Sequence, residues 1–349
     1  MLRYYTRACN FYYGKKSKIL IKNKKSLPLN GNDFISFDRI QIISRNSKKI
    51  IFLSEINGLP EKIKKKVKKD LKIITKPKIF LKDFNFKKVP NIMGILNVTP
   101  DSFSDGGNFF TNKSAVKQLN YLFKCGADIV DIGGESTRPG SKTVSSNVEW
   151  RRIKDILKKI KKKKTISLDT RKSDIMEKGI KLGVKLINDV SGLSFDDNSI
   201  NILKKYKTPF VLQHSLGTPE TMQKNPKYKN VLLDIYDFFE KKIIHLRQKG
   251  IKHNNIILDP GIGFGKNLKH NMTIIKNISI YHSLGLPILL GMSRKKFIKE
   301  LSNDNDSISR IGGTVSTTIF AMMQGIEVLR VHDVNEINQS IKVFRELIK

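Results

Sequence analysis

Polar residues able to do chemistry recur along the chain from residue 97 onward, each closing a short apolar run. They are Asn97, Asp131, Asp169, Asn188 with Asp189, His214, Asp259, Ser293 with Lys295, and Arg330 with His332. They sort into two sets. Asp169, Asn188 and Asp259 offer acceptor oxygens, which suit a flat heterocycle gripped along its N–H edge. A carboxylate against such an edge makes paired hydrogen bonds that discriminate strongly in a dry site. Lys295 could reach a carbonyl oxygen of the same ring. Asn97, Arg138, Arg330 and His332 combine cation and amide groups, a set suited to a phosphate or diphosphate. Gly106, Gly107, Gly133, Gly134 and Gly140 let two loops fold closely over a ligand. The sequence shows no Ser/His or Cys/His nucleophile pairing, no HExxH and no Cys/His cluster. Neither a covalent enzyme intermediate nor a structural zinc site is therefore expected.

Residues so far apart in sequence act together only on a fold that gathers them. The runs NIMGILNV, ADIVDIG, KTISLD, KLINDV, PFVLQH, NIILDP, PILLGMS and EVLRVH alternate with Lys-studded helical patterns from residue 91 to the end. Eight strand–helix units in about 255 residues match the length of a (β/α)8 TIM barrel. Runs apolar on both faces suit parallel strands covered by helices. In that fold the carboxyl ends of the strands share one rim, so the polar residues become the wall of one bowl. A lone Asp at such a turn is commonly a helix cap; a full rim that includes His, Arg and Lys is not. An open doubly wound sheet is the structural alternative, but no GxGxxG follows the first strand.

Composition narrows the function classes. The 349 residues are 39% hydrophobic, enough for a sizeable core, and no run of 18 apolar residues supports a membrane span. Cys9 and Cys125 match no metal spacing and fit a reducing compartment. The formal net charge is +35. Lys outnumbers Arg about four to one, whereas nucleic-acid readers lean on Arg, and runs such as KKIKKKK fall where helices face solvent. A nucleic-acid partner is not expected on this reading.

Residues 1–88 stand apart from the barrel, which spans 89–349. They carry 24 Lys and Arg against 6 acids, and the first acid is Asp33. FDRIQIISR and KKIIFLSEI read as strands, and residues 59–74 place Ile63, Val67, Leu71 and Ile74 at helical spacing. A small basic, partly ordered α+β extension is expected. An acid-free start can be an organelle transit peptide, but this one is neither clearly Ser-rich nor amphipathic. The extension serves either packing or oligomer formation, or the binding of an anionic partner.

Seven segments carry a family resemblance: MGILNVTPDSFSDGG (93–107), GADIVDIGGESTRPGS (126–141), SLDTRK (167–172), INDVSG (187–192), DPGIGFGK (259–266), GMSRKKFI (291–298) and RVHDV (330–334). In this order they resemble the dihydropteroate synthase family, from about residue 91 to 349. The resemblance implies a folate-pathway transferase that joins 4-aminobenzoate to (7,8-dihydropterin-6-yl)methyl diphosphate in an SN1-like substitution. It implies that Asp169, Asn188, Asp259 and Lys295 hold the pterin, and that Asn97 coordinates Mg2+ together with the diphosphate. Arg330 and His332 would bind that anion, with Thr137 and Arg138 on a second loop. Phe103, Thr137, Pro139, Phe264 and Lys295 would border the aminobenzoate pocket. A homodimer and a cytoplasmic, bacterial-type setting are also implied.

Two positions depart from the family pattern. Leu216 stands where an Arg is common, and Lys296 adds a cation beside the expected aminobenzoate carboxylate. Two other functions compete with the synthase. A pterin-dependent methyltransferase shares the Asp, Asn and Asp strand ends but would need a corrinoid partner. A catalytically idle barrel could bind nucleic acid through its extension. The intact NVTPDSFSDGG and GGESTRPG segments argue against both.

Overall fold

The computed structural model describes residues 3–79, 90–99, 112–136, 140–160, 164–217 and 225–349. Phe103, Thr137, Arg138 and Pro139 lie outside the described residues.

The extension is a small sheet with two helices: β1 (Tyr5–Tyr13), α1 (Gly14–Lys22), β2 (Leu27–Leu29), β3 (Asn32–Ile43), β4 (Lys48–Phe52) and α2 (Glu61–Ile74). β3 is central. β1 pairs antiparallel along one edge, from Tyr5 opposite Ile43 to Tyr13 opposite Ile35, and β2 and β4 share the other edge end to end. α2 buries Val67, Leu71 and Ile74 against Ile40, Phe37 and Ile51 and turns its lysines outward, as its periodicity predicts. The acid-free start forms β1 and α1.

From residue 91 the chain alternates: β5 (Asn91–Asn97), α3 (Asn112–Lys124), β6 (Ile129–Gly133), α4 (Ser146–Lys158), β7 (Thr165–Asp169), α5 (Ser173–Lys181), β8 (Leu186–Asp189), α6 (Ser199–Tyr206) and β9 (Phe210–Gln213). It continues through α7 (Val231–Gln248), β10 (Ile256–Asp259), α8 (Leu268–Lys276), β11 (Leu289–Gly291), α9 (Lys296–Ser302), α10 (Ile311–Met322), β12 (Val328–Val331) and α11 (Val334–Leu347). All eight expected strands are present and pair in parallel in the order β10-β9-β8-β7-β6-β5-β12-β11. A bridge between Leu258 and Ile288 joins the two ends into a barrel. Met93, Ile129, Leu186, Val211, Ile257, Leu289 and Val328 form its apolar interior. The alternate residues of the same strands join the helices in the larger outer core. This two-sided burial is why the strands read as continuous apolar runs.

The extension closes the end of the barrel where the strands begin and runs along the flank of α7. Ser279 Oγ donates to the Ala8 carbonyl at 2.9 Å and the Tyr13 hydroxyl to the Met323 carbonyl at 2.7 Å. Arg45 grips Asp234 and Asp237 on α7 at 2.7 and 2.8 Å. Just before β12, Glu327 is buried. Its Oε1 accepts from Lys78 Nζ at 2.5 Å and Asn30 Nδ2 at 2.8 Å, and its Oε2 from the Ile288 N–H at 2.9 Å. His282 Nε2 meets the Gln324 carbonyl at 2.8 Å, which leaves Nδ1 to accept from Lys78 at 2.9 Å. Burial, with the Lys78 cation adding to it, holds His282 well below its usual range and hence neutral.

Candidate active site

Along each strand, side chains alternate between the barrel interior and the helical layer. Strand pairing fixes which is which: Leu186 belongs to the interior layer, so Asn188 also points inward, and Asp169 is its register partner on β7. The same count turns Asn97, Asp131, Gln213, Asp259 and Arg330 inward, and Ser293 and His332, just beyond the ends of β11 and β12, line the cavity described below. Asp189 and His214 are one residue out of phase and leave the set. Asp189 Oδ1 instead closes a turn, accepting from Ser191 N–H at 2.7 Å and Ser191 Oγ at 2.6 Å. His214 packs edge-on against Phe238 of α7 at 4.8 Å between ring centroids. Gln213 is the inward residue of β9, its Nε2 donating to the Val190 carbonyl at 3.3 Å.

Arg330 ties the mouth together. Its Nε donates to Asp131 Oδ2 at 2.7 Å and its Nη2 to Asp169 Oδ2 at 2.8 Å. Asp131 Oδ2 also accepts from Asn188 Nδ2 at 2.9 Å. The opposite oxygens behave differently: Asp131 Oδ1, Asp169 Oδ1 and Asn188 Oδ1 are buried without a hydrogen-bond partner among the described residues. Orphaned buried acceptors are costly, and such a set in one place points to a donor-rich ligand. Burial pushes Asp169 up to about 8, the Arg330 cation opposing that rise and the neighbouring Asp131 carboxylate adding to it. Asp259 is likewise raised by burial, while the Gly261 N–H, at 2.7 Å from its Oδ1, and the Lys295 cation work against the shift.

Lys295 enters from the other side. The turn before it is made at Arg294, whose φ of 59° is left-handed and whose guanidinium grips Asp333. Lys295 Nζ donates to the Ile262 carbonyl at 2.6 Å and lies 4.3 Å from the Phe264 ring centroid. Burial lowers it to about 8, with Asp259 opposing. Lys266, not singled out by sequence, is buried beside it and lowered to about 7 by burial. Its Nζ donates to His214 Nδ1 at 3.0 Å and to the Phe264 carbonyl at 2.9 Å, so His214 supports the wall from behind.

Lys266, Lys295 and Arg330 line a cavity of about 640 Å³ together with Asn97, Phe264 and His332, among others, and Arg330 links its wall to the buried Asp131 and Asp169. His332 Nδ1 is 3.0 Å from Ser293 Oγ. A Cβ on Gly133 would lie 3.3 Å from Asp169 Cβ and 3.6 Å from Asn97 Oδ1, so the glycine keeps the space before both open. Among the described residues no group of three or more His, Cys, Asp or Glu could hold a metal ion. Asn97 offers one amide oxygen, which fits a hard cation carried in mainly by a phosphate ligand. The segment following β6 is pinned at both ends. Glu135 takes the Val144 N–H at 2.9 Å, Arg171 Nε at 3.1 Å and Lys172 Nζ at 3.1 Å, and Arg171 Nη2 donates to Thr143 Oγ1 at 2.9 Å. At the two departures from the family pattern, Leu216 is exposed and its backbone and Cβ fill the space that a Cβ on Gly265 would need, while Lys296 pairs with Glu300 at 3.3 Å on the cavity's edge.

Comparison with known proteins agrees with this geometry. A profile of the family described as pterin binding enzyme matches residues 93–332. Dihydropteroate synthase of Escherichia coli K12 is 41% identical over 256 residues, 73% of this chain and 90% of that protein. Among solved structures, Xanthomonas albilineans dihydropteroate synthase with 4-aminobenzoic acid superposes with a TM-score of 0.69 at 35% identity, covering 74% of this chain and 93% of that one. The Clostridium difficile enzyme in the presence of pteroic acid gives 0.70 at 39%, covering 76% and 98%. No helix among the described residues is long and apolar enough to cross a membrane. The chain, through its barrel, belongs to the dihydropteroate synthase family of pterin binding enzymes.

Proposed function

We propose that this chain condenses (7,8-dihydropterin-6-yl)methyl diphosphate with 4-aminobenzoate, giving 7,8-dihydropteroate and diphosphate for folate synthesis. The observation that supports it most is the set of partnerless acceptor oxygens on Asp131, Asp169 and Asn188 around Arg330, beside Asp259 and Lys295. An amino-pyrimidinone ring presents N–H donors along one edge and a carbonyl oxygen beside them. Asp169, Asn188 and Asp259 take the donors and Lys295 the carbonyl.

The bond between the pterin methylene and the diphosphate oxygen breaks, and the diphosphate leaves with the electron pair. The neutral aryl amine then attacks the methylene and loses a proton. No protein nucleophile takes part. Binding of the ring's N–H donors offsets the burial that holds a proton on Asp169, so that Asp169 and Asp259 as carboxylates favour positive charge delocalised over the ring, and Arg330, His332, Thr137 and Arg138 meet the departing anion. Asn97 would hold Mg2+ jointly with the diphosphate, an ion that neutralises leaving-group charge when bound. Phe264, Phe103, Thr137, Pro139 and the stem of Lys295 would bound the aminobenzoate pocket and keep water from the cation. We further propose a cytoplasmic homodimer in which residues 1–88 serve as a packing extension of the barrel, a reading supported by the buried Lys78–Glu327 contact.

The test is diphosphate release. It should require both the pterin diphosphate and 4-aminobenzoate, and a sulfonamide, isosteric with the aminobenzoate, should compete with that substrate alone. Release without either requirement, or none at all, would remove the proposal.

A further inference from the structure

Asp131 lies on β6 two residues before Gly133, the register partner of Asp169, and so sits one layer beneath Asp169 and Asn188. It is fully buried. One of its oxygens, Oδ2, accepts from both Arg330 Nε at 2.7 Å and Asn188 Nδ2 at 2.9 Å. We infer that Asp131 is a positioning residue that sets the sense of the Asn188 amide and so makes this part of the site select for ligand donors. The inference rests on the pterin reading given above.

An Asn side chain has an oxygen face and a nitrogen face, and its surroundings decide which one a ligand meets. An ionised carboxylate can only accept. With Arg330 on the same oxygen, Asp131 has its counter-charge in place, and Asn188 must turn Nδ2 toward it. Asn188 Oδ1 is then left as an acceptor, and it is among the buried oxygens with no partner. Asp131 Oδ2 therefore acts through its neighbours: it supplies no contact with the ring, yet it fixes what Asn188 presents. The same oxygen holds the guanidinium that reaches Asp169, so one carboxylate orients acceptors on two other strands, β7 and β8. A ligand whose edge carried acceptors where the pterin has N–H groups would meet like against like.

The test is a swap. In Asp131→Asn the new amide can donate to Asn188 Oδ1, the Asn188 amide can turn, and the ligand then faces N–H groups. Calorimetric titration with the pterin diphosphate, 4-aminobenzoate absent, should show affinity falling about 10- to 100-fold. The KM for 4-aminobenzoate should hold, which a general loosening of the fold would not allow. Adding Asn188→Asp to Asp131→Asn keeps the donor at 131 and leaves only acceptor oxygens at 188, so an acceptor again faces the ligand, and affinity should return to within about threefold of the unaltered protein. If the swap stays as weak as Asp131→Asn, or if Asp131→Asn binds normally, Asp131 does not set the amide and the inference fails. Should Asp131→Asn not fold alone, the swap is compared with Asn188→Leu. Near-normal binding by the swap, with Asn188→Leu weakened at least about tenfold, upholds the inference, and equal weakness overturns it. Failure of the unaltered protein to bind the pterin diphosphate would instead sink the functional reading itself.

Discussion

Glu327 and Arg330 stand three residues apart at opposite ends of one short strand, and their surroundings could hardly differ more. Both sit in buried clusters of cation and carboxylate. At the closed end, both oxygens of Glu327 are used, by Lys78, Asn30 and the Ile288 N–H; of that cluster only Asn30 Oδ1 lacks a partner among the described residues. At the open end, Arg330 takes one oxygen from each of two carboxylates and leaves the other oxygens of Asp131 and Asp169, together with that of Asn188, without partners. In the first arrangement the carboxylate is fully paired within the protein and serves the fold. The second leaves three buried acceptors unused at some cost in stability, and these are the groups that the proposed function gives to its ligand.

The contrast can be broken from either end. The most severe change is removal of residues 1–88, which strips Lys78 and Asn30 from Glu327 and uncovers the surface against which β1 packs. The expected outcome is a barrel that does not fold, read by circular dichroism and by recovery in the supernatant. A folded, active barrel with lost salt-sensitive RNA binding would instead favour an anionic partner for the extension.

At the open end, Asp169→Ala should lower kcat/KM for the pterin diphosphate by about 100-fold or more, because a site built for N–H donors loses its acceptor. Its melting temperature should not fall in proportion, since the deleted carboxylate is under-satisfied. At the closed end, Glu327→Ala should do the reverse. It leaves Lys78 buried without its counter-charge and should cost about 3–5 kcal/mol in denaturant unfolding, with KM little changed in the folded fraction. Replacing Lys78 and Glu327 together by Met should cost far less, because no uncompensated charge remains.

The smallest effects are in pH dependence, and their signs differ. Asp169 is raised to about 8 in the folded chain, so it holds a proton there that the unfolded chain releases from about pH 4. Its contribution to stability is present at low pH and is lost as pH rises toward 8. Asp169→Asn should therefore melt progressively higher than the unaltered protein between pH 4 and 8. Lys266 is lowered to about 7, so the cost of burying its cation is present below pH 7 and is relieved as pH rises toward 10. Lys266→Met should gain most near pH 6 and least near pH 10. Parallel pH profiles for the two variants would contradict this assignment of charge.

Much of the architecture is legible in the sequence because buried parallel strands are marked by composition, and all eight runs become strands. The same feature hides the phase within a strand. Runs such as KLINDV and PFVLQH are apolar on both faces, so only pairing shows that Asn188 and Gln213 point inward while Asp189 and His214 do not. α2 is legible from its spacing. β1 and α1 are not, because YTRACNFYY acquires its meaning from antiparallel pairing with a strand some thirty residues later. The link from Arg330 to Asp131 spans 199 residues of sequence and is visible only in the fold, as are the buried position of Lys266 and the anchoring of the segment after β6 by Glu135.

The most direct test of the division between the two ends is calorimetric titration of the pterin diphosphate, without 4-aminobenzoate, into three proteins: unaltered, Asp169→Ala and Glu327→Gln. Saturable binding should be lost about 100-fold or more in Asp169→Ala and kept within about threefold in folded Glu327→Gln. Equal losses from both changes, or none from Asp169→Ala, would contradict the assignment of ligand recognition to the open end.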